Sequence, residues 1–422
     1  MTDTTQTTTP TPKAEVPEAP RGNQILREIF GGSAAISVFA VLLALIFGGI
    51  LIVLTDEAVA QASAYFFSRP LDTLQAAWDA VAGAYSALFR GSVFNYLRAE
   101  DFAVAIRPLT ETLANATPLI AAGLGVALAF RVGLFNIGGR GQMLIAAAAA
   151  GYVGAYIPMP PVLHLVVALI VGLIGGALWG GLVGLLKART GAHEVIVTIM
   201  LNYIAFYLVS FLLRTPGALQ APGQNNPKSG PMLESAQFPA LLGDQYNLNL
   251  GFILVIVATI YVWYLLNRSA MGFRFRAVGE NPHAARVAGI KVERVYVQVM
   301  LIAGALVGLA GVYQVLGNFT GGFAAGLDAG IGFDAITVAL LGRSKPVGVF
   351  FAGILFGALK AGSYTMQASE GIPVDIVLVV QSFIVLFIAA PPLVRAIFRL
   401  PTPDPLFQWR TPKTAAKAEV TK

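Results

Sequence analysis

The chain has no cysteine and only three histidines, His164, His193 and His283, in 422 residues. The first absence excludes disulfides, iron–sulfur clusters and thiolate metal sites. The histidines stand far apart, none with a second at i+4, so no His-based metal site is expected. Charge is also scarce: Asp, Glu, Lys and Arg make up 12% of the chain, about half the ~25% of an ordinary soluble domain. No G-x-x-x-x-G-K-S/T run occurs, so the chain has no phosphate-cradling loop and no nucleotide site of its own. Nucleophile–histidine pairings and paired carboxylates are missing too, which argues against an enzyme.

What is abundant is apolar. Hydrophobic residues reach 56%, with 45 glycines. A water-soluble fold would have to expose several apolar runs of about 20 residues, each long enough to cross a bilayer. The expected fold is therefore all-α, a polytopic membrane helix bundle. Ten segments qualify, at 34–54, 110–130, 137–157, 162–186, 194–213, 248–266, 295–316, 333–341, 347–367 and 374–394. The eighth is too short to cross alone and follows the glycine-rich GGFAAGLDAGIG. It is expected to be a broken or re-entrant element, which the bilayer tolerates only where protein buries it. The Thr/Pro-rich stretch 1–33 has no apolar period and is expected to be a disordered tail. The apolar run starts too late, at Ala34, and is too long for a cleaved signal peptide; it is expected to remain as a first span.

Basic residues set the orientation. Arg131, Lys187, Arg189, six basic residues from Arg268 to Arg294, Arg343, Lys345 and six more from Arg395 onward fall on one set of connections. The opposite loop 215–247 has Lys228 against Glu234 and Asp244, and the loop 55–109 has four basic against six acidic residues. Both termini are thus expected in the cytoplasm of a bacterial cell. This asymmetry also explains the net charge of +6 without invoking nucleic acid. In the first outer loop, Leu71, Leu74, Trp78, Val81, Tyr85 and Leu88 recur at helical spacing, the pattern of an amphipathic helix lying on the outer leaflet or over the bundle.

One stretch does not fit its apolar surroundings. In RAVGENPHAARVAGIKVERV, residues 276–295, Asn281 is a good N-cap, Pro282 suits the first helical position, and Gly289 is a natural stop. Between them lie about two turns, with small residues at Ala284, Ala285 and Ala288. Physics alone leaves two readings open, a loop folded back under the bundle or a docking element for a cytoplasmic partner.

At this point the sequence resembles the permease subunits of ATP-binding cassette importers, in the branch that includes nucleoside, ribose and branched-chain amino acid permeases. RAVGENPHAARVAGI (276–290), GLFNIGGRGQMLI (133–145), HEVIVTIMLNYIA (193–205) and GIGFDAITVALLGRSKPVGV (330–349) carry the match. The resemblance covers roughly 110–395, leaving 34–109 as an extra first span plus the outer segment and 396–422 as a cytoplasmic tail. It implies that Gly279, Glu280, Asn281, Pro282, Ala284, Ala285, Ala288 and Gly289 form a coupling helix docking on a separate ATPase chain, where ATP binds. It further implies an extracytoplasmic binding lipoprotein and a second permease, here a different, shorter chain, because the long form resembles one of two unequal permeases of nucleoside importers. One departure stands out: Arg140 occupies a position that is usually acidic in the family.

Polar residues within spans are costly in hydrocarbon and point to function by default. Glu194, Thr198 and Asn202 share a face of the fifth span; Lys360, Tyr364 and Gln367 share one of the ninth. Gln314 and Asn318 lie near the outer end of the seventh, and Gln381 midway along the tenth. Asn136, Glu194, Asn202, Gln314, Asn318, Lys360 and Gln381 are the candidate translocation path; the alternative for each is a bond to a neighbouring helix. Asp334 is a candidate partner for Lys360, and Glu194 suits a gate or an ion pair. The substrate expected from the resemblance is a nucleoside, with a simple sugar as alternative. An ion-coupled secondary transporter is the rival class, weakened by the scarcity of intramembrane carboxylates.

Overall fold

The computed structural model describes residues 33–243 and 245–399. The expected tails 1–33 and 396–422 fall almost wholly outside the described residues, as does Asp244. Every expected span is helical. Besides two short helices at Glu57–Ser63 and Phe102–Ala105, the helices are α1 (Ser33–Thr55), α2 (Pro70–Ser92), α3 (Arg107–Phe130), α4 (Gly139–Tyr156), α5 (Pro161–Thr190), α6 (Glu194–Leu212) and α7 (Leu250–Arg268). They continue with α8 (Ala270–Glu280), α9 (Pro282–Val287), α10 (Val292–Tyr313), α11 (Ile331–Leu341), α12 (Pro346–Glu370), α13 (Asp375–Ala389) and α14 (Pro391–Phe398). Among the described residues there is no sheet, only two isolated bridges.

Seven helices are long and apolar enough to cross a membrane, or eight if α13 and α14, bent by 93°, count as one span. The other two of the ten expected segments depart for physical reasons. The alanine- and glycine-rich α4 is mostly buried inside the bundle. The 11 residues of α11 rise about 16 Å, half of a ~30 Å hydrocarbon core. The proline that opens α14 cannot continue α13.

At the centre is α3, buried along almost its whole length and packed by α7, α10, α11 and α12. Small residues make these contacts possible. Where α5 meets α10, a β-carbon on Gly176 would stand 2.5 Å from the Gly304 carbonyl oxygen, and one on Gly180 equally close to that of Met300. The two backbones touch directly, the small-residue packing that drives helix association where no hydrophobic effect acts.

The amphipathic stretch forms α2, but its apolar residues divide. Leu71, Leu74 and Trp78 are exposed, whereas Val81 and Tyr85 lie against Gly49 of α1. The C-terminal half runs antiparallel to α12, with Gly83 against Glu370 and Gly91 against Thr365. The long connection between α6 and α7 is sewn to the segment after α10: Met232 N–H donates to Thr320 O at 2.7 Å, and Phe238 N–H to Leu316 O at 2.8 Å. His164 is buried, donating from Nε2 to the Val153 carbonyl (3.0 Å) with Ser235 Oγ 2.7 Å from Nδ1, a pin between helix and loop.

Candidate functional site

The basic connections gather at one end of the bundle. Arg131 Nε donates to Ser344 O at 3.0 Å, Arg343 Nε to Ser37 Oγ at 3.4 Å, and Lys187 Nζ lies 5.6 Å from the Tyr296 ring centroid. At this end sits α9. Asn281 Oδ1 accepts from His283 N (2.9 Å) and Ala284 N (3.0 Å), Pro282 opens the helix, and Gly289 takes φ +82° just beyond it. A β-carbon on Gly279 would collide with the Arg131 carbonyl, so the connection is pressed against the end of α3. Glu280 is exposed.

The expected face of three alanines needs correction. Ala285 is buried, 4% exposed, while Ala284 and Ala288 face outward with Val287, which is 91% exposed. Ala284 and Ala288 are four apart and share a face; Ala285 lies about 100° round the helix, turned towards the bundle. The outward surface is therefore small residues plus one unsatisfied aliphatic side chain. Arg286 bonds Glu293 of α10 at 2.6 Å, bracing α9 from the side.

Two of the expected path residues are hydrogen-bonded within the bundle. Asn202 accepts from Gly141 N at 2.8 Å and donates to Ile137 O at 2.9 Å, so both ends of its amide clamp the start of α4. Asn136 accepts from Gly138 N at 3.0 Å and exchanges bonds with Gln142. Both asparagines are buried. Glu194 pairs with Lys187 at 2.6 Å, and the Thr198 hydroxyl donates to its own helix at Val195 O.

Between the ends of the bundle, α4 and α11 begin side by side. A β-carbon on Gly332 would stand 2.5 Å from the Arg140 amide nitrogen. Two helix N-termini with their partial positive charges thus converge, and the buried Asp328 lies beside them with Arg140 Nε at 3.2 Å. Arg140 also stands 4.7 Å from the Phe206 ring centroid. Arg140 therefore has a carboxylate partner on the glycine-rich segment. Asp328 was not among the expected site residues; the signal for it was a carboxylate in a segment otherwise built for membrane depth.

The structure does bring the remaining candidates of α12 and α13 together. Asp334, Lys360, Ser363, Tyr364 and Gln381 line a cavity of about 260 Å³, closed on the apolar side by Leu119 and Phe356. Asp334 and Lys360 share this wall, and among the described residues they close no ion pair within 4.0 Å. Opposite charges near the middle of a bilayer would cost of the order of 3 kcal/mol each if turned to lipid, which favours a face that adjoins water or protein. Gln314 and Asn318 lie elsewhere, at the end opposite α9. There a turn of π-helix ends α10, and Asn318 Nδ2 donates to Gln314 Oε1 at 2.5 Å. Asn318 borders a second, separate cavity of about 420 Å³.

Comparison with known proteins identifies the bundle. Residues 109–389 match the family model described as branched-chain amino acid transport system / permease component. The chain is 40% identical over 75% of its length to the guanosine ABC transporter permease protein NupP of Bacillus subtilis, covering 88% of that protein. It is 34% identical to the nucleoside ABC transporter permease protein NupB of Lactococcus lactis subsp. cremoris (67% of this chain, 79% of the relative). The same identity holds with the glucose ABC transporter permease protein TsgB13 of Haloferax volcanii (66% and 75%). No solved structure matches. The segment left unmatched before residue 109 holds α1 and α2, and the matched one holds every element from α4 to α13. The chain thus belongs to the branched-chain amino acid transport system / permease component family, as a multi-pass membrane subunit of an ABC importer and not an enzyme.

Proposed function

We propose that this permease carries nucleosides, purine nucleosides first, inward across a bacterial cell membrane. The observation that carries the reading is the similarity to a guanosine permease along 88% of that protein's length; the family description, which names branched-chain amino acids, spans relatives of other substrates. The chemistry agrees. The cavity between α11, α12 and α13 offers amide, hydroxyl and a charge-balanced Asp334–Lys360 wall beside apolar surface, which suits a neutral solute with a flat face and several hydrogen-bonding groups.

In this reading the α9 end faces the cytoplasm, by the basic-residue asymmetry, and Ala284, Val287 and Ala288 seat in an ATPase subunit. The other half of the path is a second, shorter permease, and solute arrives from an extracytoplasmic binding lipoprotein. A simple sugar is the second reading, favoured by the likeness to a glucose permease. The importer purified with its partners and binding protein should show ATPase stimulation by guanosine or adenosine. Stimulation by glucose, ribose or leucine and by no nucleoside would overturn the substrate and leave the permease standing.

A further inference from the structure

The cavity of about 420 Å³ at the end opposite α9 lies within this chain, between α3, the π-turn after α10, the start of α7 and the sewn-down loop. Its polar lining includes Glu111, Asn115, Gln237, Asn247, Asn318 and Thr320. The internal hydrogen bonds of most of these amides run in one direction. Four of the five amides in the lining donate from nitrogen to a partner in the chain: Asn115 to Glu111 O (2.9 Å), Gln237 to Met232 O (2.9 Å), Asn247 to Glu111 Oε1 (2.6 Å) and Asn318 to Gln314 Oε1 (2.5 Å), whereas the fifth, the buried Asn249, accepts from Gly251 N (3.0 Å). Among the described residues, none of the four amide oxygens accepts a bond. The cavity thus presents four acceptors whose nitrogens are already engaged; Asn247 and Asn318 are exposed and Asn115 and Gln237 half-buried, so an arriving hydroxyl exchanges with water at these oxygens.

We propose that this cavity is a binding site for the sugar half of the solute, reading its hydroxyl groups as donors. The inference rests on the nucleoside reading and adds to it a site inside one chain, apart from the Lys360 cavity. A metal ion suits it less. The single carboxylate, Glu111, is already approached by Arg107 at 3.9 Å and by Asn247, and the volume is that of a small-molecule pocket. Phe238 borders the lining but is nearly buried, with its ring stacked on Tyr313, so the amides and not an aromatic face carry the recognition. The π-turn that brings Asn318 to the rim is a geometry that clusters at functional sites.

Because the chain has no cysteine, Thr320→Cys gives one reporter thiol on the rim. Thr320 contributes its backbone carbonyl to the loop, which the substitution keeps. The importer, purified with its ATPase and second permease but without binding protein, is labelled with a charged thiol reagent in the presence of guanosine, 2′,3′-dideoxyguanosine, D-ribose or calcium chloride. Guanosine and ribose are expected to slow labelling about tenfold at about ten times Kd, and dideoxyguanosine to have no effect. Adding Asn115→Leu should abolish the protection. Equal protection by dideoxyguanosine, protection by calcium alone, or no protection at all would each overturn the site. If guanosine is transported and nothing protects, this inference fails by itself. If ribose protects and no nucleoside is transported, the site stands and the nucleoside reading falls.

Discussion

Arg140 and Asp328 meet at 3.2 Å although 188 positions separate them in the sequence, and their contact joins the start of α4 to the segment that leads into α11. Asp328 is nearly buried, whereas Arg140 retains partial exposure. Removing the carboxylate leaves a half-buried guanidinium without its counter-charge. Asp328→Ala should therefore lower stability by about 3 kcal/mol, the low end for a broken buried pair. The double variant Arg140→Met with Asp328→Leu should recover much of it. Thermal unfolding in detergent checks both; Asp328→Ala as stable as the unmodified protein would show that the pair holds nothing together.

At α9 the direction of each side chain separates folding from docking. Val287→Glu and Ala284→Arg alter outward positions and should leave yield and melting unchanged while the ATPase subunit is lost on purification. Ala285→Arg forces a charge into a buried site and should instead reduce the folded protein recovered. Retention of the ATPase by Val287→Glu would remove α9 from the coupling interface.

Orientation is testable with single cysteines in this cysteine-free chain. Gln75→Cys and Asn226→Cys, both exposed, should react with an impermeant thiol reagent on intact cells. His283→Cys, on α9, should react only after the membrane is opened. Labelling of His283→Cys on intact cells would invert the topology.

The glycine-rich run before α11 should respond unevenly. Gly321 and Gly326 have open space where a β-carbon would go, so Gly321→Ala and Gly326→Ala should change little. Gly332 abuts the Arg140 backbone, and Gly332→Val should cost about 1–3 kcal/mol or more from overpacking. Membrane yield and melting temperature distinguish these outcomes, and equal tolerance at all three positions would contradict the close approach.

Much of this bundle was legible because its signals are local. Apolar runs located all ten segments, and Asn281, Pro282 and Gly289 marked α9 by their own backbone preferences. What was not legible depended on partners far along the chain. Asn202 looked like a lining residue since nothing near it in sequence satisfies its amide; its partners, Ile137 and Gly141, lie on another helix's approach. Ala285 could not be told from Ala284 and Ala288 by size, only by which side of two turns meets the bundle. Lys360, Tyr364 and Gln381 were each visible as polar residues in apolar helices, and folding supplied their common cavity with Asp334.

The bare contact between α5 and α10 constrains how this subunit moves. With no side chain between Gly176 and Gly304, any separation or tilt of the two helices would open a direct backbone contact, so the pair is expected to travel as one rod. Rearrangement during a transport cycle has to pass to seams cushioned by side chains, such as that between α11 and the Lys360 cavity. A probe on either helix of the rod therefore registers displacement of the whole scaffold and is blind to the opening of the path itself.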